Sequence, residues 1–202
     1  MKINIIGAGT WGTTLGCILS KKGHNITIWQ RNSTKSNHIS EIRKHPNLVL
    51  HYIPDKIKFT SNLESLNFNN FTIIAIPSHS VFETLSNANL NNGKYLIASK
   101  GFDLNTGFLQ SQLLEKTLNI SSDNIAVISG PNHAEEVIAG KASATVIASI
   151  NKKFATELQE IFSSDVFRVY TSEDIIGVQV GGAVKNIIAI ASGLCIGLDL
   201  GD

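Results

Sequence analysis

Lys185 is a charged residue inside an apolar run, Val178-Gln-Val-Gly-Gly-Ala-Val-Lys-Asn-Ile-Ile-Ala-Ile-Ala191. An ammonium group there is costly unless it is paired or stands at a wet site. On a helix, Gly181 and Gly182 fall one turn before Lys185 on the same face, and Ser192 two turns after. Small residues at those positions admit a ligand or another surface. A lysine so placed can titrate close enough to neutrality to act as an acid–base group; the competing reading is a lysine snorkelling from a helix edge. Lys100 follows the apolar run Tyr95-Leu-Ile-Ala-Ser99 and precedes Gly101. It is placed either to hold a substrate oxygen or phosphate as a point charge or to serve as an ordinary loop lysine. Gly130-Pro-Asn-His-Ala-Glu-Glu136 follows a third apolar run, residues 125–129. There Gly-Pro makes a stiff turn, Asn132 is expected to cap the next helix, and Glu136 to stabilise its start. His133 reads as structural or solvated.

Dinucleotide chemistry is written at the N-terminus, as Ile5-Ile-Gly7-Ala-Gly9-Thr10-Trp11-Gly12. The spacing G-x-G-x-x-G between a strand and a helix gives each glycine a task. Gly7 permits a tight turn, Gly9 lets backbone approach a pyrophosphate, and Gly12 lets the helix lie close to the strand, with the helix N-terminus facing the phosphates. Gly23 is placed as a C-cap before a second strand, residues 25–29. Where an NAD-preferring site places an acidic residue after that strand, this sequence has Gln30-Arg31-Asn32. Arg31 can pair with a 2′-phosphate, which favours NADP(H) with NAD(H) possible; the alternative is a solvated loop arginine. No Cys-x-x-Cys, His-x-x-x-His, Gly-x-Ser-x-Gly or P-loop lysine occurs, and scattered histidines argue against a metal.

The elements that must position these residues alternate along the chain. Strand-like runs recur at 2–6, 25–29, 71–76, 95–99, 125–129, 144–149 and 166–170, with helix-compatible stretches at 11–21, 35–44, 79–88, 108–118, 133–139 and 153–163. This is the pattern of an α/β, Rossmann-like doubly wound, mainly parallel sheet covered on both faces. In such a sheet ligands bind beyond the carboxyl ends of the strands, where Gly7, Arg31, Pro77-Ser-His79, Lys100 and Gly130 all fall. Residues 45–60, with Pro46 and Pro54, read as a wandering surface segment, and the asparagines between 87 and 92 as a loop. The expected organisation is a dinucleotide-binding domain over 1–171 and the first helix of an all-α domain over 172–202. The chain reads as cut short at Gly201-Asp202, because that apolar helix lacks a companion.

With 202 residues and 43% hydrophobic content the chain can bury a substantial core, and 17 basic against 16 acidic residues leave it near neutral. Near-neutrality argues against a nucleic-acid or polybasic membrane partner. The expected location is cytoplasmic, with Cys17 and Cys195 as buried reduced thiols. A signal peptide is disfavoured by Asn4 and the glycine turn, and the apolar run 187–198 is shorter than the roughly 20 residues of a membrane span.

Taken in order, these motifs resemble the bacterial-type NAD(P)-dependent glycerol-3-phosphate dehydrogenases. The matching segments are Gly7-Ala-Gly-Thr-Trp-Gly-Thr13, Ile28-Trp-Gln-Arg31, Tyr52-Ile-Pro54, Ala98-Ser-Lys-Gly101, Ser129-Gly-Pro-Asn-His-Ala134 and Gly181-Gly-Ala-Val-Lys-Asn-Ile-Ile-Ala189, running on to Gly197-Leu-x-x-Gly-Asp202. The resemblance implies hydride transfer between NAD(P)H and dihydroxyacetone phosphate, giving sn-glycerol 3-phosphate for glycerophospholipid synthesis, in a homodimer when the protein is whole. It implies cofactor contacts from Gly7, Gly9, Thr10, Trp11, Gly12, Arg31, Tyr52, Lys100 and Ala134. It further implies substrate contacts from Lys100, Gly130, Asn132 and Lys185, with Lys185 as the proton donor and acceptor. Asn132 and His133 depart from the family's usual Ser or Thr followed by Phe. The rival readings are another reductase of this architecture, such as a ketopantoate reductase, and a non-catalytic nucleotide-binding fragment.

Overall fold

The computed structural model describes residues 1–48, 50–90 and 93–200. Among these residues, eight strands form one sheet: β1 (Lys2–Ile6), β2 (Asn25–Trp29), β3 (Lys58–Thr60), β4 (Phe71–Ile74), β5 (Tyr95–Ile97), β6 (Ile125–Ser129), β7 (Ser143–Ala148) and β8 (Phe167–Ser172). Among the described residues, seven α-helices accompany them: α1 (Thr10–Lys21), α2 (Ser33–Ile42), α3 (Val81–Leu85), α4 (Gln110–Lys116), α5 (Ala134–Ile138), α6 (Lys152–Phe162) and α7 (Ile175–Gly197). The spatial order is β3-β2-β1-β4-β5-β6-β7-β8. Every pairing is parallel except β6 with β7. The first six strands thus carry their carboxyl ends to one edge, where the chain order reverses between β1 and β4, and β7 and β8 run the other way.

The central strands are apolar throughout because both faces are covered. Ile5 faces a core with Leu15 and Leu19 of α1 and Phe154 and Leu158 of α6. The next residue, Ile6, faces the opposite core with Val81 and Leu85 of α3 and Leu113 and Leu114 of α4. This alternation is the period of two expected of a strand. Polar side chains start several helices by taking an orphan N–H. The oxygens of Asn32, Asn151 and Asp174 accept from Lys35, Phe154 and Gly177, at 2.9, 3.1 and 2.7 Å. Gly23, one residue past the C-cap of α1, has φ +87°, as its expected role requires.

Several expectations need correction. Residues 45–60 do not merely wander: Leu48, Ile53 and Ile57 are buried, and Lys58–Thr60 adds an eighth strand at the sheet edge. Three residues, two of them polar, give too short a pattern to read. Stretch 79–88 is a 3₁₀ turn over residues 78–80 followed by the five-residue α3. Cys17 is buried, which pushes its thiol up to about 11, but Cys195 is exposed on α7. That helix is 23 residues long with a mean hydropathy of 1.6 over its most apolar stretch, so by length and composition it meets the requirement for a membrane span. Its N-terminal half instead packs on the sheet domain, with Ile175 and Val178 against the core beneath α4. The asparagines 91 and 92 and the final Gly201-Asp202 lie outside the described residues.

Candidate active site

The turn after β1 is built from backbone constraints. Gly7 has φ +119°, and a Cβ on it would come 2.5 Å from the Ala75 carbonyl oxygen. A Cβ on Gly12 would collide with the Gly7 carbonyl oxygen, so β1 and α1 can meet only through glycine there. Gly9 precedes α1 without a side-chain cap, and nothing lies within 4 Å of where its Cβ would be. Uncapped N–H groups and an open glycine at the start of a 12-residue helix are what a pyrophosphate needs, so the residues fit a dinucleotide.

Two clefts meet beyond this turn. One, of about 330 Å³, is lined by Thr10, Trp11, Lys100, Gly130, Asn132 and Ala134 among others. The other, of about 290 Å³, is lined by Lys100, Gly130, Val146, Gly181, Gly182 and Lys185 among others. Lys100, Ser129 and Gly130 belong to both. A separate cavity of about 470 Å³, between residues 63–69 and 84–89, contains none of the candidate residues.

The wall between the clefts is held by the antiparallel β6–β7 pair. Thr145 donates its hydroxyl to the Ser129 carbonyl at 3.0 Å, and the Asn132 amide donates to the Ala144 carbonyl at 2.8 Å. A Cβ on Gly130 would come 2.9 Å from the Ala144 carbonyl oxygen, so glycine keeps this loop flat on β7. Asn132 is thus a strap, not the expected helix cap: His133 holds the N-cap position of α5, without a side-chain bond. Glu136 does lie in the first turn of α5 and pairs with Lys141 at 3.0 Å, which holds its carboxyl below the usual value.

Lys100 extends from the end of β5 and donates its Nζ to the Gly130 carbonyl at 3.2 Å. The residue as a whole is exposed, yet its ammonium reaches the loop after β6. Loss of water there and then the charge of Lys185 hold its pKa below the usual lysine value. Lys185 is half-buried on the cleft side of α7. The close approach of α7 occurs at Gly182, whose Cβ would stand 2.6 Å from the Ser129 hydroxyl, whereas Gly181 has open space around it.

Arg31, at the carboxyl end of β2, donates to Glu83 at 3.4 Å and to the Thr84 hydroxyl at 3.3 Å. Tyr52 lies outside both clefts, 58% exposed, with its hydroxyl on Asp55 at 2.5 Å. Two further residues escaped the sequence. His45 is buried beside the Ala8 backbone of the glycine turn and accepts the Asn47 N–H at Nδ1, 3.2 Å. Burial lowers its pKa, against smaller raising effects from Ala8 and Glu135. Gln179 joins α7 to α4 through Ser111. Nothing in Lys44-His-Pro-Asn47 or Val178-Gln-Val180 marks either residue. Among the described residues, no three His, Cys, Asp or Glu side chains gather as metal ligands.

A doubly wound sheet with a glycine fingerprint at its switch point defines the dinucleotide-binding class of domain. Within that class, the chain belongs to the NAD-dependent glycerol-3-phosphate dehydrogenase family. The family's N-terminus model matches residues 2–155 and its C-terminus model residues 174–202. The chain is 38% identical to a glycerol-3-phosphate dehydrogenase [NAD(P)+] of Fusobacterium nucleatum over 210 residues, covering 100% of the chain and 62% of the relative. It superposes on the crystal structure of glycerol-3-phosphate dehydrogenase from Coxiella burnetii with a TM-score of 0.83 and 31% identity, covering 100% of the chain and 62% of that protein. The chain therefore spans about three-fifths of the length of these relatives. A 2-dehydropantoate 2-reductase structure from Enterococcus faecalis shares the fold alone, with a TM-score of 0.62 and 18% identity over 98% of the chain and 65% of that protein.

Proposed function

We propose that this site serves reversible hydride transfer between NAD(P)H and dihydroxyacetone phosphate, giving sn-glycerol 3-phosphate. The observation that carries the reading is the meeting of the two clefts at Lys100 and Gly130, one beside the glycine fingerprint and the other beside Lys185. A nicotinamide cofactor, when bound, would supply the hydride. Gly7, Gly9, Thr10, Trp11, Gly12 and Ala134 line its path, Arg31 favours a 2′-phosphate, and Tyr52, outside both clefts, is assigned a further contact. Lys100, Gly130 and Asn132 orient the substrate, Asn132 with the amide proton left free by Ala144. Lys185 gives a proton to the C2 oxygen on reduction, takes it back on oxidation, and steadies negative charge on that oxygen. We assign residues 1–171 to cofactor binding and 172–202 to the start of the substrate-binding helical domain, in a cytoplasmic enzyme that pairs as a homodimer.

The test is an NADPH-oxidation assay with dihydroxyacetone phosphate, run on this chain and on longer forms carrying the rest of a relative's length. Turnover with ketopantoate but not dihydroxyacetone phosphate would overturn the reading. In an active form, Lys185→Ala is expected to lower kcat by roughly 10²–10⁴-fold with little change in cofactor affinity; unchanged turnover would remove the lysine from the chemistry.

A further inference from the structure

We propose that Glu83 is a specificity-determining residue that sets the balance between NADPH and NADH. The proposal rests on the reading of Arg31 as the contact for a 2′-phosphate. In the usual arrangement one carboxylate after the second strand accepts the adenine ribose hydroxyls, and an arginine near that position takes a phosphate instead. Residues 30–32 contain no acid. The fold supplies one from elsewhere: α3 follows β4 and places Glu83 Oε2 3.4 Å from Arg31 Nη2, with the Thr84 hydroxyl 3.3 Å from the same nitrogen.

Both side chains are open to solvent, Arg31 at 58% and Glu83 at 73% exposure, so the pair is loosely held and either member can turn to a ligand. A 2′-phosphate on Arg31 must displace Glu83 and then lie beside its carboxylate, where like charges repel. A free 2′-hydroxyl finds an acceptor in the same carboxylate. Glu83 therefore weakens NADPH and supports NADH, while Arg31 does the reverse. Specificity set by a repulsive element against one ligand and an attractive one for the other is a difference of affinities, not a single contact.

The experiment is fluorescence titration of NADPH and NADH into the chain and into its Glu83→Gln variant, which keeps the shape and removes the charge. NADPH is expected to bind more tightly and NADH more weakly, raising Kd(NADH)/Kd(NADPH) by about tenfold, less at high salt. An unchanged ratio would overturn the proposal, and so would weaker NADPH binding, which would make Glu83 only a support for Arg31. Arg31→Ala separates the two levels. If it leaves the ratio unmoved, the Arg31 reading fails and takes this proposal with it. If it collapses the ratio while Glu83→Gln does nothing, only the role of Glu83 is lost.

Discussion

Two ammonium groups converge on one small cleft from different elements, Lys100 from the end of β5 and Lys185 from α7. Loss of water and the neighbouring charge both make Lys100 release its proton more readily than an ordinary lysine, whose pKa is near 10.5. The sign matters in two ways. An anion gripped by Lys100 is released as pH rises through this lowered value, earlier than for a free lysine. The folded chain also binds this proton less tightly than the unfolded chain, so Lys100 costs stability while charged, and the cost is relieved as pH rises toward 10.5. Lys185→Met removes the neighbouring charge and keeps most of the stem. The Lys100 midpoint, followed by side-chain ¹³C NMR, is expected to move up in that variant. A stationary midpoint would mean that the two lysines do not sense one another.

The adjacent glycines of α7 offer a test of how that helix is seated. Gly181 faces open space, so Gly181→Ala is expected to stabilise the chain by about 1 kcal/mol through helix propensity. A methyl at Gly182 meets the Ser129 hydroxyl and nears the Lys100 stem, so Gly182→Ala is expected to cost about 1–3 kcal/mol through overpacking. Urea denaturation of the two variants gives the comparison, and equal effects would place the close contact elsewhere on α7. The glycine fingerprint was legible in the sequence because backbone collisions leave no other residue at Gly7 and Gly12. Lys100, Gly130 and Lys185 were legible because each follows or interrupts an apolar run. Strand β3 was not, being three residues long with two of them polar. Glu83 was not, because its place beside Arg31 depends on β4 lying next to β1 and on a turn after β4 that no local pattern announces. His45 was hidden in a proline-broken segment whose path along the glycine turn is a tertiary fact.

Across the whole molecule, the site exists only if α7 keeps one position on the sheet, and a buried polar contact joins the two. Helix α4 begins after Leu109, a residue with no side-chain acceptor for the orphan N–H groups of the first turn. Gln179 of α7 supplies one from outside: its Oε1 accepts the Ser111 N–H at 3.0 Å, and its Nε2 donates to the Ser111 hydroxyl at 2.7 Å and to the Ile175 carbonyl at 2.9 Å. It is the buried residue of a helix whose other described side chains are half-buried or exposed. Gln179→Ala leaves the Ser111 N–H without its partner and is expected to cost about 1–3 kcal/mol. Simple destabilisation would speed exchange everywhere, so the informative measurement is local. Amide hydrogen exchange is expected to quicken in the first turn of α4 and in α7 from Ile175 to Gly182, with β1 and α1 unchanged under native conditions. As α7 loosens, the Lys185 charge retreats and the Lys100 midpoint should rise toward its ordinary value, a shift that a general loss of stability would not produce. Wild-type exchange rates in α7 of the Gln179→Ala chain would mean that the Gly182 contact and the apolar seats of Ile175 and Val178 hold the helix without it.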